Sequence, residues 1–146
     1  MSRTAVFPLR DYNLAATLTS GQAFRWREEN GAWENIVAGR WVRLRVNDKT
    51  LHAQVAKPQK DWQWLTDYLQ LEVNLKKILA DFPKDDPHLA AAKKTCRGLR
   101  LLKQDPWETL AGFICSSNKQ IVQIQQIIGE LCDRYGEPAH AGWKTF

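Results

Sequence analysis

Residues 98–120, which read GLRLLKQDPWETLAGFICSSNKQ, most constrain the fold because they predict two helices separated by a short polar break. Asp105 can accept hydrogen bonds from first-turn amides, Pro106 suits the first helical position, and Glu108 can complete a capping box. Apolar residues then recur at helical spacing until the polar run at residues 116–118 interrupts them. Such a pair indicates a helical unit whose apolar faces need other elements to cover them.

The second helix is predicted to begin at Ser117, which has Gln120 three residues later, and to stop at Gly136. Asn118 therefore lies where one helix ends and another begins, beside amides that have no helical partner. Such a position is suited to holding a phosphate or reading a base edge. The alternative interpretation of Asn118 is a simple helix cap, which is the usual role of asparagine at a helix start. The apolar face of this helix contains Ile121, Ile124, Ile128 and Leu131.

Residues 17–56 show the alternation of polar and apolar side chains that is typical of antiparallel strands. In the clearest strand, residues 41–46, Val42, Leu44 and Val46 occupy one face and arginines occupy the other. The alternation predicts an antiparallel sheet with one covered face and one solvated face. Shorter strands are predicted over residues 22–27, 32–38 and 50–56.

Helices are predicted to follow the strands. Asp61 and Asp86 are candidate N-caps for the first and third of them, and Gly98 closes the third. We expect an α+β unit over residues 1–97 and a purely helical unit over residues 98–146. Because two helices cannot bury their own apolar faces, the helical unit is expected to be incomplete, and the chain to be a piece of a longer protein. The three helices are predicted over residues 62–69, 74–80 and 87–96.

The formal net charge of +5 has the sign expected for a polyanion partner. Residues 93–103 hold five basic side chains and no acidic one, directly before the predicted helix pair. Such a run indicates nucleic-acid binding, and the alternative is an ordinary solvated face. The basic residues are Lys93, Lys94, Arg97, Arg100 and Lys103.

The cysteines and histidines indicate no disulfide framework and no metal site, and no cofactor is expected. Cys96, Cys115 and Cys132 are widely spaced, form no Cys-x-x-Cys pair and have no ligand spacing with the histidines. This cysteine usage favours a reducing compartment. No run resembles a signal peptide or approaches the roughly twenty apolar residues of a membrane span. We therefore expect a soluble, intracellular protein that makes no membrane contact.

Two segments carry a family resemblance. Residues 18–26 read LTSGQAFRW, and residues 104–118 contain QDPWE followed by FICSSN. Together they resemble the 8-oxoguanine DNA glycosylase/lyase family of the helix-hairpin-helix glycosylase superfamily, whose N-terminal domain carries SGQxFRW and whose helical domain opens with QDPxE and FICSSN. The resemblance covers essentially the whole chain. It implies an α+β fold: a TBP-like antiparallel sheet with helices, then the first helices of an all-α helix-hairpin-helix glycosylase domain.

The resemblance implies base excision repair, in which 8-oxoguanine is removed from duplex DNA and the abasic site is cleaved by an associated lyase activity. The implied partner is double-stranded DNA with oxidised guanine opposite cytosine. It would be bound by a monomer, in the cytoplasm (nucleoid) of a bacterium or the nucleus of a eukaryote. In the family, the glycine of SGQ, here Gly21, directs its carbonyl at N7 of the lesion. From the residues alone, the usual explanation of Gly21 is a bulge or turn at a strand start.

The resemblance also assigns DNA contacts to the second segment. Asn118 matches the family residue that fills the gap in the duplex and bonds the unpaired cytosine, for which an amide supplies both donor and acceptor. Lys119 and Gln120 replace residues that are often asparagine, so their DNA contacts are expected to differ in detail. Gln123 stands where the family often has an arginine that reads the same cytosine, and weaker discrimination is expected because a neutral amide lacks the forked, charged contact.

The catalytic core of the family follows a helix-hairpin-helix with a glycine-rich loop, and residues 1–146 contain no such loop. Its lysine nucleophile forms a Schiff base with the sugar, with an aspartate nearby. No lysine of this chain matches that context, so no catalytic residue is assigned and the chain alone is expected to be inactive. Two alternatives stay open: an alkylbase DNA glycosylase of the same superfamily, which lacks the lysine, and a non-catalytic DNA-binding module.

Overall fold

The computed structural model describes residues 1–141 and 144–145, and it has the α+β architecture predicted from the sequence. One antiparallel sheet contains β1 (Ser2–Pro8), β2 (Arg27–Glu29), β3 (Ala32–Val37), β4 (Arg40–Asn47) and β5 (Thr50–Gln59). The order across this sheet is β1-β5-β4-β3-β2. The helices are α1 (Leu14–Thr19), α2 (Gln63–Leu69), α3 (Leu75–Ala80), α4 (Pro87–Thr95), α5 (Pro106–Cys115) and α6 (Ile121–Tyr135). A short ribbon pairs β6 (His140–Ala141) with β7 (Lys144–Thr145).

The core is mainly aliphatic and is formed by one face of the sheet together with α1 and α2. Alternate residues of β4 and β5 point into it. Val42 pairs with Val55, and Leu44 pairs with Ala53, and all four are buried, whereas their neighbour Gln54 is exposed. The predicted alternation is therefore confirmed on β4 and β5, whereas the adjacent β3 residues Glu34 and Asn35 are both buried.

The N-terminal part differs from the sequence-based prediction in three ways. The strand predicted over residues 22–27 was wrong, since only Arg27–Glu29 is paired in the sheet. The side chain of Gln22 instead bonds backbone groups of distant segments, which takes this stretch out of the sheet. Two elements were not predicted: β1, an edge strand paired with β5, and the short helix α1, which is capped by Asn13. The other predicted strands and helices are confirmed.

The helix starts confirm the predicted caps only in part. Asp86 and Asp105 each accept hydrogen bonds from two first-turn amides of α4 and α5, and a proline follows each cap. Glu108 does not close the capping box expected at α5. Its carboxylate faces Arg25 instead, with Oε1 lying 3.8 Å from Nη1 of the guanidinium. The residue therefore links α5 to the segment that precedes β2.

Helices α5 and α6 pack on each other but leave most of their large apolar side chains exposed. On α6 the side chain of Ile124 is buried, with 4% of its surface exposed. This agrees with the expectation that two helices cannot cover their own apolar faces. The exposed side chains are Trp107, Leu110, Phe113, Ile114, Ile121, Val122, Leu131 and Tyr135.

Candidate nucleic-acid interface

Gly21 directly follows the C-cap of α1 and has a φ of +81°, a conformation that glycine adopts without strain. It therefore serves as a turn residue after a helix, not as a bulge at a strand start. The same residue lies against the start of α6, because a Cβ placed on Gly21 would be 3.5 Å from Cδ1 of Ile121. Within the described residues, no hydrogen bond is made to the carbonyl oxygen of Gly21. Its hydrogen-bonding capacity is therefore not used by the described part of the chain.

The turn between α5 and α6 contains Asn118, which is exposed and has a φ of +55°. Asparagine tolerates this left-handed conformation better than most residues. The prediction that Ser117 caps α6 was wrong, since the N-cap is Gln120. The turn is closed by Lys119 N, which donates to Ser116 O at 3.2 Å. Asn118 is thus a turn residue and not a helix cap.

The side chains predicted to contact DNA lie together on this turn and on the first turn of α6. Gln123 Oε1 accepts a hydrogen bond from Gln120 N at 3.0 Å, so this amide also stabilises the helix start. Ile121, between them, lies next to Gly21, and the structure therefore brings the two predicted segments close together. Together they offer a carbonyl, side-chain amides and an ammonium group, which are groups that bind base edges and phosphates. The exposed side chains are Asn118, Lys119, Gln120 and Gln123.

Gln22, beside Gly21, is a structural residue of this region that the sequence analysis did not single out. Its Nε2 donates to Arg100 O at 2.7 Å and to Ser20 Oγ at 2.9 Å. Its Oε1 accepts from Leu102 N at 2.8 Å. The side chain thus connects the end of α1 to the segment before α5. The position of Gln22 in the SGQ motif was the available signal, but a sequence does not reveal partners that lie 78 residues away.

Phe24 and Arg25 join the same motif to α5. The ring of Phe24 lies against the helix backbone, since a Cβ placed on Gly112 would be 3.3 Å from Cε2 of the ring. Arg25 forms the ion pair with Glu108. Burial raises the pKa of the Glu108 carboxyl, and the Arg25 guanidinium partly opposes this rise. The motif therefore packs on α5, which leads into the Asn118 turn, and forms an ion pair with it.

The basic run at residues 93–103 is not a uniform cationic patch. Arg100 is 4% exposed, and its guanidinium donates to Val73 O, Arg10 O and Asp11 O at 2.8, 3.0 and 3.2 Å. Neither the nucleic-acid interpretation of this run nor the solvated-face alternative holds for Arg100, which is buried and holds backbone segments together. Arg97 is 83% exposed and lies 3.8 Å from the Asp11 carboxylate.

The remaining sequence-based expectations concern cysteines, metals and membranes. Cys96, Cys115 and Cys132 carry free thiols. Among the residues that the structure describes, no group of three or more histidine, cysteine, aspartate or glutamate side chains is arranged to hold a metal ion. In the same part of the chain, no helix has the length and apolar character needed to cross a membrane.

The family model for the N-terminal domain of 8-oxoguanine DNA glycosylase matches residues 5–110. The chain belongs to this family. The matched range includes Gly21 and the first half of α5, and it ends before Asn118. The resemblance inferred from the two sequence segments is confirmed.

Characterised relatives and solved structures agree with this assignment. The N-glycosylase/DNA lyase OGG1 of Arabidopsis thaliana is 32% identical over 132 residues, and the N-glycosylase/DNA lyase of Saccharomyces cerevisiae is 28% identical over 144 residues. These alignments cover 84% of this chain but only 36% of each relative. The chain thus spans about a third of the length of the curated relatives it matches.

The structure of MBOgg1 in complex with a low-affinity DNA ligand has a TM-score of 0.90 and 32% identity, covering 100% of this chain and 51% of that one. The 8-oxoguanine glycosylase/lyase of Clostridium acetobutylicum, in its apo form, has a TM-score of 0.87 and 24% identity, with coverage of 100% and 52%. These likenesses confirm the fold that the sequence resemblance predicted.

Proposed function

We propose that this chain is the N-terminal part of a bifunctional 8-oxoguanine DNA glycosylase and abasic-site lyase. Residues 1–97 would form its N-terminal α+β domain, and residues 98–146 would begin its helical glycosylase domain. The observation that carries the proposal is the proximity of Gly21 to Ile121, because it places the SGQ motif beside the helix start that follows Asn118. The names of the relatives, which are N-glycosylase/DNA lyases, support the same activity.

The unpaired carbonyl of Gly21 is suited to reading the lesion. A base must leave the helical stack before a glycosylase can act on it, and it is then recognised in a pocket. Oxidation at C8 turns N7 of guanine from an acceptor into a donor. A carbonyl directed at N7 bonds the lesion but faces a lone pair on normal guanine, and one such inversion is worth about 1–3 kcal/mol when desolvated.

The exposed turn after α5 is suited to reading the opposite strand. We infer that Asn118 enters the space left by the lesion and bonds the cytosine opposite it, while Lys119, Gln120 and Gln123 contact neighbouring DNA. A side-chain amide matches the donor and acceptor pattern of the Watson–Crick edge of cytosine. The partner is therefore inferred to be duplex DNA with oxidised guanine opposite cytosine, bound by a monomer in the nucleoid of a bacterium or the nucleus of a eukaryote.

Catalysis is proposed to depend on residues outside this chain. The family nucleophile is a lysine that attacks the sugar C1′, releases the base and forms a Schiff base, from which the lyase reaction proceeds. None of the lysines in residues 1–146 matches its sequence context. The 146 residues alone are therefore expected to be inactive, while the protein that contains them is expected to be an enzyme.

The test uses the full-length protein and residues 1–146 side by side. Duplexes containing 8-oxoguanine, N3-methyladenine or no lesion are incubated with each protein, and base release and borohydride-trapped adducts are measured. We expect lesion-dependent release and trapping for 8-oxoguanine with the full-length protein only. Release of the methylated base without trapping would indicate an alkylbase glycosylase, and DNA binding without any release would indicate a non-catalytic module. Trapping by residues 1–146 would contradict the proposed absence of the nucleophile.

A further inference from the structure

We propose that Gln22 is a positioning residue for lesion recognition, which holds the Gly21 carbonyl where it meets the N7 hydrogen of 8-oxoguanine. The proposal rests on the function proposed above for Gly21. A glycine with a φ of +81° has no side chain to anchor it, so its carbonyl direction depends on neighbours. Recognition that relies on one backbone carbonyl requires the supporting residues to fix that group closely.

The side chain of Gln22 is bound at both of its polar ends. Nε2 donates to Arg100 O at 2.7 Å, to Ser20 Oγ at 2.9 Å and to Thr17 O at 3.2 Å. Oε1 accepts from Leu102 N at 2.8 Å. One amide therefore bridges the end of α1 and the segment that leads into α5. Ser20 and Gln22 are the chain neighbours of Gly21, so this amide holds the backbone on both sides of the glycine.

The backbone around this bridge is held as well. Gln104 Nε2 donates to the carbonyl oxygen of Gln22, the residue directly after Gly21. Thr17 Oγ1, on a fully buried residue, accepts from Arg100 N at 3.1 Å. The same segment is anchored deeper in the fold by the guanidinium of Arg100. Residues 100–104 are thus held in place, and their hydrogen bonds to Gln22 restrain the backbone next to Gly21.

Only an amide satisfies this arrangement, because the site needs a donor toward Arg100 O and an acceptor toward Leu102 N. Methionine has a similar length and offers neither group. Glutamate keeps the acceptor, but its carboxylate would face the carbonyl oxygens of Thr17 and Arg100. Gln22→Met therefore removes the bridge with little change in volume, and Gln22→Glu removes half of it and adds repulsion.

The experiment compares two reactions of the full-length protein under single-turnover conditions. Excision of 8-oxoguanine opposite cytosine requires base recognition, whereas cleavage of a preformed abasic site opposite cytosine has no base to recognise. We expect Gln22→Met to slow excision by about tenfold while abasic-site cleavage keeps its wild-type rate. We expect Gln22→Glu to slow excision at least as much. Gln54→Met, on the exposed face of the sheet, is the matched control and is expected to change neither rate.

A loss of stability alone would lower both rates by the same factor, and that result would overturn the positioning role. Unchanged excision by Gln22→Met would overturn it as well. If Gln22→Met does not yield folded protein, Gln104→Met decides in the same assay, because it removes only the bond to the Gln22 backbone. Wild-type protein that cleaves the abasic site but does not excise 8-oxoguanine would instead show that the proposed function is wrong, before any variant is compared.

Discussion

The ring of Phe24 packs directly on the backbone of α5 at Gly112. A Cβ placed on Gly112 would lie 3.3 Å from Cε2 and 3.4 Å from Cδ2 of this ring. The absence of a side chain therefore lets the motif that carries Gly21 approach the helix that leads to Asn118. This contact and the Arg25–Glu108 ion pair join the SGQ motif to α5.

Gly112→Val is expected to destabilise the protein because its branched side chain must displace the Phe24 ring. Overpacking of this kind costs about 1–3 kcal/mol. Gly129 on α6 is the matched control, since a Cβ there would meet nothing within 4 Å. Gly129→Ala should instead raise the free energy of unfolding by about 0.5–1 kcal/mol, the usual gain for alanine over glycine in a helix. Urea unfolding of the 146-residue chain measures both, and a neutral Gly112→Val would contradict the tight contact.

Arg100→Gln is expected to lower stability by several kcal/mol, because it removes a buried guanidinium that donates to the partly buried carbonyl groups of Val73, Arg10 and Asp11. Arg97→Gln, which removes an exposed ion pair with Asp11, should cost less than about 1 kcal/mol. Urea unfolding tests the difference between them.

Arg100→Gln and Lys94→Gln separate a structural role from DNA binding. Neutralising a residue that contacts a phosphate reduces the slope of log affinity against log salt by about 0.9. Arg100→Gln should leave this slope unchanged in the folded full-length protein, whereas Lys94→Gln, at an exposed position of the basic run, should reduce it. A reduced slope for Arg100→Gln would show that its guanidinium reaches the DNA.

Glu108 is expected to make the protein less stable as the pH rises through the acidic range. Burial raises the pKa of its carboxyl above the ordinary value of 4.5, so the folded state binds more protons than the unfolded state between the two pKa values. The stability of the wild type relative to Glu108→Gln should therefore fall from about pH 4 upward and level off above the raised pKa. Arg25→Gln should extend this fall to higher pH, because the guanidinium lowers the pKa of Glu108. A relative stability that rises with pH would contradict the sign of the shift.

Gln123→Arg is expected to have two separate effects. It removes the acceptor for Gln120 N, so the start of α6 should lose about 0.5–2 kcal/mol of stability, as measured by thermal unfolding. It also supplies a guanidinium, which can form two parallel hydrogen bonds with a base. The preference of the full-length protein for cytosine over adenine or thymine opposite the lesion should therefore be about tenfold greater than in the wild type. Strict cytosine dependence in the wild type, unaltered by the substitution, would assign the reading of that base to another residue.

The sequence predicted most of the fold because its signals were local. The alternation of Val42 and Leu44, and the aspartate-proline starts of α4 and α5, depend on near neighbours and were confirmed. The Ser117 cap of α6 was wrong by only three residues, whereas other wrong predictions depended on distant partners. Gln22 left the predicted strand because its amide bonds Arg100 and Leu102. Edge strand β1 has little apolar pattern, since only one of its faces is partly buried.

In the candidate site, too, local features were predicted from the sequence and features that depend on distant partners were not. The resemblance assigned Gly21 to the lesion and Asn118 to the opposite cytosine, and these roles stay predictions. The polar break at residues 116–118 was located correctly, although the N-cap of α6 is three residues later than predicted. The role of Arg100 could not be predicted from its place in a basic run, because its guanidinium binds the segment between β1 and α1 and the turn before α3, which are distant in sequence. A run of like charges gives no information about which member faces inward.

The central claim is that Asn118 and Gly21 form one lesion-reading surface, and the affinity of an Asn118→Gly variant tests it most directly. Glycine accepts the φ of +55° without strain, so this variant removes the amide and keeps the turn, whereas Asn118→Ala would also strain the backbone. The measurement is the dissociation constant of the full-length protein for duplexes with 8-oxoguanine opposite cytosine and for undamaged duplexes. We expect Asn118→Gly to weaken lesion binding by about 1–3 kcal/mol and to leave binding to undamaged DNA nearly unchanged. Wild-type affinity for the lesion duplex would show that Asn118 serves only the turn, and it would contradict the claim.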